Sequence, residues 1–97
     1  MAGQIRMTPE TMRQRAVDTD KQVEAMQNLI TAMDRLLTTL KGEWEGDAMK
    51  GYEERYNKIK PSFNNAKELL EEIAYNLRET ARIVEETDKN IGSQFRA

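Results

Sequence analysis

With no histidine and no cysteine in its 97 residues, this sequence lacks the commonest general base and any thiol nucleophile. The acids are plentiful, but Glu68, Glu71, Glu72, Glu85 and Glu86 read as a solvated face rather than a cation site. Nothing supplies the oxygen-ligand loop that calcium takes. The usual nucleophile–base pairs are missing. No catalytic, cofactor-binding or metal-binding residue is therefore assigned, and the chain reads as a non-enzyme. What remains is recognition by shape and apolar contact. The only tryptophan, Trp44, sits in a polar turn bracketed by glycine, Lys41-Gly42-Glu43-Trp44-Glu45-Gly46-Asp47. Such a ring either closes the end of a helix pair or is presented to something else. Gly46 is needed there for turn geometry first. Phe95 is a lone aromatic near the C-terminus, beyond Gly92, and suits a partner's pocket.

Two long helices must position these residues. Thr8 is a good N-cap, Pro9 suits the first helical position and Glu10 complements the helix dipole. From there Met12, Ala16, Thr19, Val23, Met26, Ile30, Met33, Leu37, Leu40 and Trp44 recur at alternating steps of four and three, a heptad seam. Gly42 predicts the stop near 41. A second helix is expected from Asp47, with a seam of Tyr52, Tyr56, Ile59, Phe63, Ala66, Leu70, Ile73, Leu77, Thr80, Val84, Thr87 and Ile91. Pro61 lies inside it and predicts a kink rather than a break, because the heptad phase passes through unshifted.

The predicted fold is all-α: one domain over 1–97, with helices at about 8–41 and 47–90, a turn at about 42–46, and flexible ends. A short turn makes the helices an antiparallel hairpin. Leu29, Leu36 and Leu69 would stay wet in a lone hairpin, although burying each is worth about 1.5–3 kcal/mol. The hairpin is therefore expected to dimerise into an elongated four-helix bundle.

Composition bounds the function. The chain is 38% hydrophobic and 33% charged, with a net charge of −2. Good helix formers dominate. No basic stripe points to nucleic acid. No apolar run of about 20 residues would span a bilayer. The opening residues have no apolar core of a cleavable signal peptide, so export would need another address. The mixed sign of the polar faces speaks against an interfacial membrane helix, and a membrane contact is left open.

A hairpin of this length with Trp44-Glu45-Gly46 in its central turn resembles the WXG family of type VII secretion substrates, of the early-secreted-antigen type. Ile5-Arg6-Met7-Thr8-Pro9-Glu10, Trp44-Glu45-Gly46-Asp47 and Tyr52-Glu53-Glu54-Arg55-Tyr56 are similar to its Gram-positive branch. So are Pro61 and Glu68-Leu69-Leu70-Glu71-Glu72-Ile73. That branch carries a C-terminal hydrophobic-x-x-x-Asp-x-x-hydrophobic-x-x-x-hydrophobic pattern, and Val84, Asp88, Ile91 and Phe95 stand at those spacings. Packing alone also accounts for Val84 and Ile91, which continue the seam.

The resemblance implies a protein made in the cytoplasm and secreted folded, as a dimer, by a machine with an FtsK/SpoIIIE-like ATPase. Its export signal would combine the Trp44–Gly46 turn of one subunit with the Val84, Asp88, Ile91 and Phe95 tail of the other. A homodimer is expected, with a heterodimer with a related WXG protein as the alternative. After export it would act as effector, co-secreted chaperone or apparatus component. The rival reading is an intracellular coiled-coil adaptor that uses the same seam for another helical protein.

Overall fold

A computed structural model describes residues 6–96, with side chains through residue 92. It contains two helices, α1 (Pro9–Glu43) and α2 (Asp47–Arg96). The expected flexible N-terminal tail falls largely on residues 1–5, outside the described residues. At about 1.5 Å per residue, the 35 residues of α1 and 50 of α2 build a rod of 77 × 24 × 15 Å. Its radius of gyration is 21.6 Å, against about 13 Å for a compact chain of similar length. So slender a body has little interior. Its buried core among the described residues is Met12, Ala16, Ile30, Met49, Ala74 and Ala81.

α1 begins as its residues dictate. The Thr8 hydroxyl accepts from the Thr11 amide at 3.1 Å, and the Thr8 carbonyl accepts from the Met12 amide at 2.9 Å. Pro9 takes the first helical turn, where no amide donor is missed. The far end departs from expectation. Gly42 does not stop α1, which continues to Glu43, and Trp44 caps it with extended backbone (φ −128°, ψ 100°). α2 runs through Pro61 and on to Arg96 rather than ending near 90. Pro61 is tolerated on an exposed face, where Asn57, the residue whose carbonyl loses its donor, is exposed too.

The seam of α1 stands from Met12 to Leu40, all of it buried or half-buried. The seam of α2 needs correction. One of its rows, Tyr56, Phe63, Leu70, Leu77 and Val84, does face α1 and is half-buried. The other does so only in part: Ala66 and Thr80 are half-buried, but Tyr52 is 50% exposed, Ile59 45% and Ile73 40%. The neighbouring row packs inward instead, with Ala74 and Ala81 fully covered. Toward the tip that inner row holds Glu53, Lys60 and Lys67, so it is apolar only along the half of α2 near the open end. Small side chains let the helices approach, so alanine takes the inner position and isoleucine stays outside.

A polar ladder fixes the register along one flank. The Arg13 guanidinium donates to both Glu85 carboxylate oxygens at 2.5 and 2.8 Å. Arg78 clasps Asp20 with both terminal nitrogens. Lys67 donates to Gln27 at 2.7 Å, Lys60 to Asp34 at 3.0 Å and Lys41 to Glu53 at 3.2 Å. The Tyr56 hydroxyl also donates to Asp34, at 2.6 Å. The α1 members, residues 13, 20, 27, 34 and 41, recur every seven positions, which is one heptad flank. The hydrogen bonds from Tyr56 and Lys60 hold the Asp34 carboxyl below its ordinary range. Burial, then the bond to Asp34, pushes the Tyr56 phenol up to about 12. Exposed pairs of this kind stabilise by only about 0–1 kcal/mol each, so the ladder sets register more than stability.

Candidate functional site: the hairpin tip and the helical tail

The tip is built by three backbone choices. The Trp44 amide donates to the Leu40 carbonyl at 2.7 Å, closing α1. The extended ψ of Trp44 then turns the chain out of the helix. Gly46 has φ +136° and is the only described residue with positive φ. That conformation is open to glycine and closed to side chains with a Cβ. The Lys50 amide reaches back to the Gly46 carbonyl at 3.4 Å as α2 begins. Beyond Gly46 and its two chain neighbours, no atom lies within 4 Å of where a Cβ on Gly46 would stand, so backbone and not space demands the glycine.

Gly46→Ala should therefore cost about 1–3 kcal/mol. Gly42→Ala, inside α1 with equal free space, should be neutral or stabilising by up to about 1 kcal/mol. Urea unfolding of the two variants checks this, and equal effects would refute the backbone account.

Trp44 does not cap the core, as its place at the end of the seam suggested. It is 43% exposed, and Met49, at 3% exposure, plugs the end of the hairpin instead. The Trp44 ring lies 5.8 Å from the Tyr52 ring at an interplanar angle of 51°. A tilted pair at that distance is a favourable aromatic contact. The two rings form a shared apolar ridge, and Tyr52 is itself half exposed. Beside it lies an open groove of about 340 Å³ lined by Lys41, Trp44, Gly46, Met49, Lys50 and Glu53. Neither Met49 nor Tyr52 was singled out for the tip from sequence. A methionine in the first turn of α2 carries no periodic signal until the opposing helix is in place.

The tail candidates lie at the other end of the rod. The Arg13–Glu85 pair is the last rung before α1 begins at Pro9, so α2 overhangs beyond about residue 89. Val84 is half-buried, Asp88 exposed and Ile91 47% exposed. The Phe95 side chain lies outside the described side chains, though its backbone is helical. Residues 84, 88, 91 and 95 step by four and three, so they prolong the hairpin-facing stripe of α2 past the start of its partner helix. The structure thus sets the turn and the tail at opposite ends of one chain and does not bring them together.

A turn with Trp44 and Gly46 between two helices, in a hairpin of this length, fits one family, and its sequence profile decides the matter. The family described as proteins of 100 residues with WXG matches residues 4–89. The chain belongs to the WXG100 family. Protein YukE of Bacillus subtilis is 34% identical to it over 96 residues, 99% of each chain. The type VII secretion system extracellular protein A of Staphylococcus aureus is 28% identical over 91 residues, 94% of each. Among solved structures, EsxA of Geobacillus thermodenitrificans is similar with a TM-score of 0.85 and 36% identity, covering 94% of this chain and 98% of that one. The secreted protein EsxB of Bacillus anthracis, 24% identical, has the same fold with a TM-score of 0.79, over 91% and 99% of the two chains.

As a WXG100 protein of this Firmicute-like branch, the chain is a small secreted helical protein of a type VII system and not an enzyme. Extracellular localisation through that system replaces the intracellular adaptor reading.

Proposed function

We propose that this WXG100 protein leaves the cell folded, as an antiparallel dimer of hairpins in a four-helix bundle, through a membrane machine driven by an FtsK/SpoIIIE-like ATPase. Its export signal is composite. The Trp44–Gly46 turn of one copy lies beside Val84, Asp88, Ile91 and Phe95 of the other. A second copy of this chain is the favoured partner, and a related WXG protein is the alternative.

One observation carries this reading: the side of the hairpin opposite the polar ladder is apolar and open. Leu29, Leu36, Ile59, Leu69, Ile73 and Ile83 are each 40–58% exposed, and their helical phases place them together on that side. A stripe of this extent marks an interaction surface. An antiparallel partner on it also brings a turn next to a tail, which one 77 Å rod cannot do alone.

The test compares culture medium and cell pellet, with and without the ATPase, using a cytoplasmic marker to exclude lysis. Asp88 is exposed, so Asp88→Ala removes no packing. It should keep helicity and dimerisation and lower export severalfold. Wild-type secretion of Asp88→Ala would sink the tail signal, and ATPase-independent secretion would sink the machine.

A further inference from the structure

The tip of the hairpin is closed by its turn and by Met49, whereas no turn joins the helices at the other end. There Met7, Met12, Ile73, Asn76, Leu77 and Thr80 line a mainly apolar groove of about 380 Å³. Ile73 is 40% exposed on its wall, and Leu77 is half-buried.

The approach to α1 begins to cover this groove. Thr8 is the N-cap, so Met7 stands just outside the helix and Met12 at its fourth position. An apolar pair at these two places fixes the angle at which a chain enters a helix. Met12 is 1% exposed, and Met7 forms an outer wall at 40%. The chain bends at Met7, so the residues before it do not prolong the axis of α1.

We propose that the segment Met1–Ile5 lies as a strap on this groove of its own chain, with Ile5 seated in it beside Met7 and Leu77. Two residues of chain span at most about 7 Å, which keeps Ile5 close to the Met7 wall. Arg6, between them, is exposed. Successive side chains of an extended chain take opposite sides, so with Arg6 in water Ile5 returns to the side of Met7. Ile5 is the only branched aliphatic residue of the first five, and none of the five has a charged side chain. The segment therefore matches an apolar wall. Asn76 and Thr80 supply an amide and a hydroxyl at the rim, the kind of partner that a covered backbone requires.

The strap closes the open end as Met49 closes the tip. The contact is made within one chain and holds whether or not hairpins pair. Ile73 also belongs to the open apolar side, so the strap trims that side from its open end. The apolar surface left for a partner then centres on Leu29, Leu36, Ile59 and Leu69.

The chain has no Cys, so introduced cysteine pairs report the strap on the full chain. Ile5→Cys is combined with Asn76→Cys on the groove, or with Ile83→Cys, one heptad along the same row of α2 but outside it. Both α2 sites are exposed, so neither change removes core packing, and circular dichroism checks the fold. A disulfide needs α-carbons within about 7 Å. Under oxidised glutathione the Asn76 pair should close within the chain about tenfold faster than the Ile83 pair or more, because seating raises the local concentration of one site alone. Exchanging Ile5→Cys for Arg6→Cys should abolish that preference, and a preference that survives the exchange overturns the seat of Ile5. Equal rates at Asn76 and Ile83, the behaviour of a loose tail, overturn the strap. So does a link that joins two copies, seen as a doubled mass, since the segment then lies on another chain.

Discussion

Ile30→Ala lowers the unfolding free energy by about 2–5 kcal/mol, among the largest losses expected from truncating one side chain of this hairpin. Ile30 is 3% exposed near the middle of α1, one of the few large residues with no route to water. A domain of this size is stable by only about 5–15 kcal/mol in total. The site also touches the ladder: the Tyr56 hydroxyl lies 3.5 Å from the Ile30 carbonyl and 2.6 Å from Asp34, so local slackening reaches those contacts. Chemical denaturation followed by far-ultraviolet circular dichroism measures the effect. Protein concentration is held fixed, because an associating protein gains apparent stability by mass action. Val17→Ala is the comparison, since Val17 is 43% exposed on the outer surface; a loss no larger for Ile30→Ala would show that the core is misplaced.

Leu29→Glu abolishes dimerisation and export while leaving the hairpin helical. Leu29 is 48% exposed in the single chain, so the substitution puts a charge in water and the fold hardly responds. In the antiparallel dimer proposed above, Leu29, the middle of the Arg15–Glu43 row of α1, meets its own copy across the two-fold axis. Like charges so placed cost several kcal/mol, and each step of about 1.4 kcal/mol is tenfold in affinity. The dissociation constant should rise about a hundredfold or more. Mixing Leu29→Glu with Leu29→Lys should restore pairing, because the facing charges are then opposite. Sedimentation of the single variants and the mixture checks this, with circular dichroism as the folding control. Wild-type association of Leu29→Glu would remove the open face as the interface. Rescue failing in the mixture, with both variants monomeric and helical, would move the axis away from Leu29.

The two substitutions divide the apolar residues into those that make the hairpin and those that join hairpins. Sequence periodicity did not make this division. In α2 it ranked Ile59 and Ile73 as core and passed over Ala74 and Ala81, whose row also holds Glu53, Lys60 and Lys67 and so reads as polar. Packing against α1 decides otherwise: Ala74 and Ala81 are covered at the inner position, and Ile59 and Ile73 are left 45% and 40% exposed. The ladder was foreshadowed by polar residues at 13, 20, 27, 34 and 41. Their partners could not be named until the turn fixed the register, since a slip of one heptad offers a different set.

Length, the absence of His and Cys, the N-terminal cap at Thr8, the two heptad stripes and the glycine-flanked Trp44 were properties of the sequence alone. They determined a helical hairpin with its turn at mid-chain, and they carried the resemblance that the family profile made certain. Local chemistry suffices there, because caps, turns and helical period depend on residues within a few positions of each other. The tertiary structure alone decided which stripe is buried, that Met49 and not Trp44 plugs the tip, and that the turn and the tail candidates stand at opposite ends. Those outcomes depend on how far apart two helices lie and which residues stand opposite, quantities set by packing between segments distant in sequence. The apolar face left over is the consequence: Leu29, Leu36, Ile59, Leu69, Ile73 and Ile83 stay 40–58% exposed, because two helices cover only the rows that face each other.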